Sequence, residues 1–289
     1  MIELTVLASG SQANCAALVV GGKRLMLIDA GLSPRATRER LFAAIRRQPE
    51  ETTDLLLTHL DADHYREGWN RLLRRHPIRV WLHQAHARQA VAAGIPETSL
   101  TTFVDACDFG DGFTARAIRA PHDEHGTSAF AFEWRGEGGE LVARLGYATD
   151  LGRVPETLHR HLVDLDVLAI ESNYDSGMQL ASDRPRFLKR RIMGGRGHLS
   201  NEQSLASALR VANASELQAI VLLHLSRQCN CPELVRTLWQ AKAAHLADRM
   251  VVSSQFAPTR TITAAPRPRR AIPVEIVEEH EREPLLFDL

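Results

Sequence analysis

The densest chemistry in this chain is the run Thr58-His59-Leu60-Asp61-Ala62-Asp63-His64. His59, Asp61, Asp63 and His64 offer imidazole nitrogens and carboxylate oxygens, the donors that hydrolytic divalent ions prefer. The run follows Leu55-Leu56-Leu57, which reads as the end of a buried strand. Side chains gathered on one loop at a strand's carboxyl end can turn toward a single point. Taken alone, such a loop fits surface decoration or a capping network equally well.

Four more residues change that balance. Asp29 closes Leu25-Met26-Leu27-Ile28, and His122 follows Ile118-Arg119-Ala120-Pro121. Asp150 closes Leu145-Gly146-Tyr147-Ala148-Thr149, and His224 closes Ile220-Val221-Leu222-Leu223. A buried strand that ends in an ionisable residue has a desolvation cost unless the charge is paired or coordinates something. One such case is a routine structural hydrogen bond, whereas four beside a ligand-rich loop point to a metal centre. The donor count suits two divalent ions: His59, Asp61, His122 and Asp150 for one, Asp63, His64, Asp150 and His224 for the other, with Asp150 shared. Two ions about 3.5–4 Å apart lower the pKa of a water between them and clamp the oxygens of an in-line displacement. Asp29 is expected to orient a liganding histidine rather than to bind metal itself. Cys229-Asn230-Cys231 lacks a second cysteine pair and reads as free thiols, like Cys15 and Cys107.

The elements that must position these groups follow from periodicity and turn signals. Strands are expected at 3–7, 17–20, 25–28, 55–58, 79–82, 114–118, 129–134, 141–148, 167–171, 219–224 and 250–253. Helices are expected at 33–47, 66–75, 85–93, 200–212 and 232–244. Strands come first with hairpin spacing and then with interleaved helices, and the order repeats. That pattern predicts an α+β fold, two mixed sheets with helices on their outer faces, over residues 1–256. From residue 257 prolines alternate with arginines and an acidic run follows, so 257–289 is expected to be a disordered tail.

Composition sets limits. The chain has 289 residues, 44% hydrophobic, with 35 Lys+Arg against 35 Asp+Glu. This is long enough for one large core, and zero net charge argues against wholesale coating of nucleic acid while allowing a local basic surface. No apolar run approaches a membrane span, no secretion signal opens the chain, and the cysteines form no framework. A cytoplasmic protein with no membrane partner is expected.

The T-H-x-D-x-D-H run, the strand-closing Asp29 and the later single His122, Asp150 and His224 together resemble the metallo-β-lactamase superfamily, whose αββα sandwich matches the expected layers. Further segments are similar to its bacterial YycJ (WalJ) branch. They include Leu7-Ala8-Ser9-Gly10-Ser11 with Asn14-Cys15, Glu171-Ser172-Asn173-Tyr174-Asp175, Leu188-Lys189-Arg190-Arg191-Ile192, Gly197-His198-Leu199-Ser200-Asn201 and Leu223-His224-Leu225-Ser226. The resemblance implies a metal-dependent hydrolase, and within this branch a DNA exonuclease. Two divalent ions, zinc or manganese with iron also compatible, would be the cofactors, and Asp63 and His198 the catalytic residues. The family has histidine where this chain has Asp61. Either the carboxylate coordinates and tilts the site toward harder ions, or Asp61 only supports a neighbouring ligand.

For the substrate, Ser9, Ser11 and Asn14 either contact phosphate or simply form their glycine-containing turn, and Asn173 and Ser200 are expected to bind substrate. Lys189, Arg190, Arg191 and Arg196 are expected to line a groove that tracks a nucleic-acid backbone, DNA in particular. A solvated helix face is the plain alternative for the four cations. His198 either assists the leaving oxygen or merely adjoins a helix capped by Ser200 or Asn201. The segment between Asp150 and His198 is too short for a large inserted domain, so an open site is expected. Other readings remain: a hydrolase of lactones, thioesters or small phosphodiesters, or a metal-poor binding module. The apolar end Leu285-Leu286-Phe287-Asp288-Leu289 resembles peptides that dock on a sliding clamp, and packing back on its own domain is the alternative.

Overall fold

The computed structural model describes residues 1–268. Among them, two seven-stranded sheets repeat one plan. The first contains β1 (Ile2–Ala8), β2 (Cys15–Val20), β3 (Arg24–Ile28), β4 (Thr52–Leu56), β5 (Arg79–His83), β6 (Leu100–Phe103) and β14 (Ile262–Ala264). Its spatial order is β14-β1-β2-β3-β4-β5-β6, antiparallel as far as β3 and parallel beyond. The second contains β7 (Ala106–Gly110), β8 (Phe113–Ala120), β9 (Thr127–Arg135), β10 (Leu141–Ala148), β11 (Val167–Glu171), β12 (Ala219–Leu223) and β13 (Met250–Val252). It is antiparallel from β7 to β10 and parallel from β10 to β13.

Helices cover the outer faces. They are α1 (Pro34–Ile45), α2 (Asn70–Leu73), α3 (Ala87–Ala92), α4 (Glu156–His161), α5 (Ser176–Ala181), α6 (Arg186–Met193), α7 (Asn201–Asn213), α8 (Pro232–Lys242) and α9 (Ala244–Ala247). Alternation along each strand builds the layers. Met26 and Ile28 enter the core between the sheets with Phe130, Phe132 and Val221, while Leu25 and Leu27 pack outward with Leu41, Trp69 and Ala90. On β11, Val167 and Ala169 face inward, whereas Leu168 and Ile170 meet Leu158, Ala208, Val235 and Trp239. Both faces of the central strands are therefore dry, which is why they read as unbroken apolar runs. The result is the expected αββα sandwich.

One consequence positions the site. β3 and β4 run parallel, and β8, β10, β11 and β12 all point the same way in their own sheet. Their carboxyl ends collect the loops that carry Asp29, His59 to His64, His122, Asp150, Glu171 and His224. Gly31 permits the tightest of these approaches, because a Cβ there would lie 1.8 Å from the Asp63 carbonyl oxygen.

Local expectations fail where side chains outbid periodicity. The strand expected to reach Thr58 ends at Leu56, because the Thr58 N–H donates to Asp29 Oδ1 at 2.8 Å instead of to a ladder. The helix expected over 66–75 shrinks to a 3₁₀ turn and α2. There the Trp69 indole N–H donates to the Leu32 carbonyl and the Asn70 amide to the Ala93 carbonyl. β6, β7 and β14, along with α4 and α5, are too short to stand out in the sequence, and α6 is a two-turn helix that the expected elements left out.

The expected tail boundary at 257 needs correction. Ile262 and Ala264, 2% and 0% exposed, form an edge strand antiparallel to β1. That strand covers an edge that would otherwise offer unpaired backbone groups. Arg267 then pairs with Asp164 at 2.5 Å and with the fully buried Asp166 at 2.7 Å. The acidic run and Leu285 to Leu289 lie outside the described residues. Arg267→Ala is expected to cost about 3 kcal/mol, because it removes a largely buried cation that pairs with two carboxylates. A fall in the urea midpoint with unchanged slope reads this out, and an unchanged midpoint contradicts it.

Candidate metal centre

Asp29, Asp150 and His224 each follow a strand with positive φ, at 60°, 56° and 57°. Non-glycine residues adopt this region at a cost of order 1–3 kcal/mol, and they keep it where surrounding contacts demand it. Here the turn swings each side chain out of its sheet and into a common space.

Two groups of donors converge there. On one side, ligand atoms of His59, Asp61 and His122 lie within 4.8 Å of one another. The His122 Nδ1–H donates to the Gly197 carbonyl at 2.9 Å, which leaves Nε2 on the site side. His59 Nδ1 lies 3.0 Å from the Thr58 hydroxyl, and its Nε2 lies 3.7 Å from Asp61 Oδ2. Asp61 reaches the site from a half-exposed position, 55% accessible at its side chain. On the other side, Asp29 Oδ2 accepts from His64 Nδ1 at 2.8 Å, turning His64 Nε2 toward Asp150 Oδ2 at 3.0 Å and Asp63 Oδ2 at 3.7 Å. Asp63 Oδ2 is also 3.8 Å from His224 Nε2 and accepts from the Asn14 amide at 3.2 Å. Asp150 lies beside both groups, grouped with His59 and His64 and also with His224.

These donors fit divalent ions. Two atoms bound to one tetrahedral ion at about 2.0–2.2 Å lie roughly 3.3–3.6 Å apart, close to the spacings around Asp63 and Asp61. His59 Nε2 and His224 Nε2 are buried with no hydrogen-bond partner. Orphaned imidazole nitrogens ringed by carboxylates are costly in a bare protein and natural in a metal site.

The electrostatics agree. Burial, helped by the neighbouring His64, pushes His59 well below the ordinary imidazole pKa, so its lone pair is available. Burial also opposes charge on His64 and His224, but carboxylates outweigh it. Asp29 and Asp150 hold His64 well above its ordinary value, while Asp150 and Glu171 raise His224 to about 10. His224 thus contributes stability to the metal-free protein that is complete below pH 6.5 and is lost as pH rises through about 10. Metal binding needs the neutral rings, so affinity should rise over the same window. Thermal midpoints of chelated protein should therefore fall from pH 6.5 to 10 while the shift on adding metal grows. A flat chelated profile contradicts this.

Sequence reasoning missed one member, Glu171. It is fully buried at the end of β11, where Oε1 lies 2.7 Å from His198 Nδ1 and 3.2 Å from His224 Nδ1. Oε2 accepts the Leu151 and Leu199 backbone N–H groups. Burial disfavours its charge, yet His198 and the hydrogen bonds with His198 and His224 hold its pKa below the usual carboxylate value. His198 is 20% exposed at its side chain and lines an open cleft of about 300 Å³. With Nδ1 on Glu171, Nε2 is the free ring nitrogen at the cleft.

The residues expected at substrate divide. Ser11, Asn173 and Arg191 line that cleft with His198. Arg191 makes a two-point ion pair with Asp123, which depresses the Asp123 pKa. Lys189 and Arg190 do not join it: they line a separate open groove with Leu180 and Met193, and Lys189 Nζ donates to the Leu180 carbonyl. Successive residues on a helix point in different directions, so the α6 cations cannot share one face. Arg196 is exposed, and its carbonyl accepts the Asp123 N–H. Ser200 is committed elsewhere as the N-cap of α7 in a full capping box. Ser9 is 2% exposed and accepts the His224 N–H at 2.8 Å, and Asn14 is 1% exposed beside Asp63 and His64. Both are turned toward the donor loops, and neither lines the cleft beside His198.

Comparison with known proteins places this geometry. Residues 9–213 match the family model described as the metallo-beta-lactamase superfamily. An exodeoxyribonuclease YycJ of Bacillus anthracis is 30% identical over 240 residues, which cover 81% of this chain and 86% of that protein. The metallo-beta-lactamase fold protein YhfI of Bacillus subtilis superposes with a TM-score of 0.64 at 13% identity, covering 89% of this chain and 98% of that one. Zn(2+)-bound PqqB of Methylobacterium extorquens gives 0.62 at 16% identity, with 89% and 99% coverage. At such identities the two structures speak for the fold alone. No helix among the described residues is long and apolar enough to cross a membrane.

Proposed function

This chain belongs to the metallo-beta-lactamase superfamily, and we propose that it is a two-ion phosphodiesterase that removes nucleotides from DNA. The observation that carries the reading is the Glu171–His198 pair, set at an open cleft directly beside the converged donors. His59, Asp61, His122 and Asp150 would hold one ion, and Asp63, His64, Asp150 and His224 the other. Zinc or manganese fits this mixed nitrogen and oxygen set, and iron is compatible. When bound, the ions supply an activated water and neutralise phosphate charge.

The chain's own groups do the rest. Asp29 fixes the His64 ring through Nδ1, the Gly197 carbonyl does the same for His122, and Asn14 steadies Asp63. Such supporting contacts set ring orientation and ligand basicity. Glu171 accepts the His198 Nδ1–H, so Nε2 is oriented to give a proton to the leaving oxygen or to stabilise its charge. The cleft is open, and Asn173, Arg184, Arg191 and Gln228 bring polar and cationic groups to a lining that also holds Leu188 and Ile192, which suits a strand better than an enclosed acyl group. The exodeoxyribonuclease named among the relatives supports DNA as the polymer.

The test is paired. Metal analysis should find two ions per chain, and the loaded protein should hydrolyse oligodeoxynucleotides far better than lactones or thioesters. Fewer than one ion per chain, or preference for an acyl substrate, would overturn the proposal.

A further inference from the structure

The cleft beside His198 contains a cation that the reaction does not use. Arg184, in the turn between α5 and α6, lines it together with Ser11, Asn173, Arg191, Ser226 and Gln228. Arg191 is neutralised there by Asp123. Arg184 is not: among the described residues it has no carboxylate within ion-pair distance, and its acceptors are all neutral. Nη1 donates to Gln179 Oε1 at 2.9 Å, and Nη2 lies 3.4 Å from the Ser226 hydroxyl. Nε and Nη2 both donate to Gln228 Oε1, at 3.2 and 3.0 Å.

Three features make this a built site. Gln179 is fully buried, so it anchors the guanidinium from behind and fixes its plane. Gln228 is exposed, and its one amide oxygen sits astride the Nε–Nη2 edge, the fork that grips a carboxylate or phosphate through two parallel bonds. The positive charge beside His198 is left unbalanced. A phosphate that exchanges with the Gln228 amide replaces one neutral acceptor with an anion, adding an ion pair to the two bonds from the guanidinium.

We propose that Arg184 binds a backbone phosphate of the substrate strand next to the one that is cleaved, with Gln228 as the group it displaces. This rests on the phosphodiesterase reading above and deepens it: the preferred substrate is a polymer strand carrying at least one phosphate beyond the scissile one. A bare structural brace between Arg184 and the loop 226–228 is the rival account.

Gln228→Glu separates the two. A carboxylate on the fork strengthens a brace, so the rival expects a stable protein with unchanged kinetics. The phosphate site expects the opposite: KM for a labelled single-stranded oligodeoxynucleotide rises about tenfold with kcat little changed, because an ion pair must be broken to admit phosphate. Arg184→Gln should lower the ratio of oligonucleotide to bis(p-nitrophenyl) phosphate kcat/KM about tenfold. It should also reduce the slope of log affinity against log salt by about 1. Thermal midpoint and metal content report whether Arg184→Gln folds, and Gln228→Glu decides if it does not. An unchanged KM in Gln228→Glu, or equal losses on both substrates in Arg184→Gln, overturns the phosphate site and leaves the nuclease reading standing. A wild-type protein that hydrolyses the small diester but no oligonucleotide overturns both.

Discussion

Asp150→Asn is expected to leave the fold intact, empty the metal centre and reduce hydrolysis by about a thousandfold or more. Asp150 shares one donor cluster with His59 and His64 and another with His224: Oδ2 lies 3.0 Å from His64 Nε2 and Oδ1 3.0 Å from His224 Nδ1. It is buried, and although burial opposes its ionisation, His224 and His64 hold its pKa well below the ordinary carboxylate value. An amide keeps the shape and the Thr149 hydroxyl contact but would bring no negative charge to a metal ion held there. Loss of the several kcal/mol that bound ions supply corresponds to that rate, at about 1.4 kcal/mol per tenfold. Metal analysis and kcat on one preparation check it together. A variant that keeps both ions and most of its activity would remove Asp150 from the centre.

The second large effect separates chemistry from metal binding. His198→Ala should keep its metal and its thermal midpoint, yet lose about 10²–10⁴-fold in kcat with little change in KM, the range for a positioned acid or base. Glu171→Gln should fall in the same direction, because a neutral amide can still accept from His198 Nδ1 but cannot offset positive charge on the ring. Glu171 has a structural duty as well, accepting the Leu151 and Leu199 N–H groups, so its thermal midpoint should drop where that of His198→Ala does not. Equal loss of metal and rate in His198→Ala would make that residue a ligand instead.

The sandwich and most of the centre were legible in the sequence for one physical reason. Apolar runs that end in an ionisable residue must resolve a desolvation cost, and Asp29, Asp150 and His224 all do so at positive φ. Glu171 obeys the same rule as the last residue of Val167–Glu171, but nothing in the sequence shows that it meets His198 and His224 rather than a structural partner. Arg184 left no such trace: its setting depends on Gln179, Ser226 and Gln228, which meet only in the folded chain. Lys189 and Arg190 misled because adjacency in sequence was taken for adjacency on a helix. The edge strand Ile262–Ala264 was hidden inside a proline-rich composition, and only its pairing with β1 gives it structure. Asp61 remains the distinctive donor, a half-exposed carboxylate 3.7 Å from His59 Nε2 where the resemblance led one to expect a histidine.

A metal-dependent nuclease of DNA strands should reveal itself in one time course. Single-stranded DNA labelled at one end is incubated with the protein in manganese, in zinc and in chelator, and the product lengths are followed. A ladder or a mononucleotide that accumulates from one end with metal and vanishes with chelator is the expected result. Intact DNA under every metal condition, from protein shown to carry two ions, would contradict it.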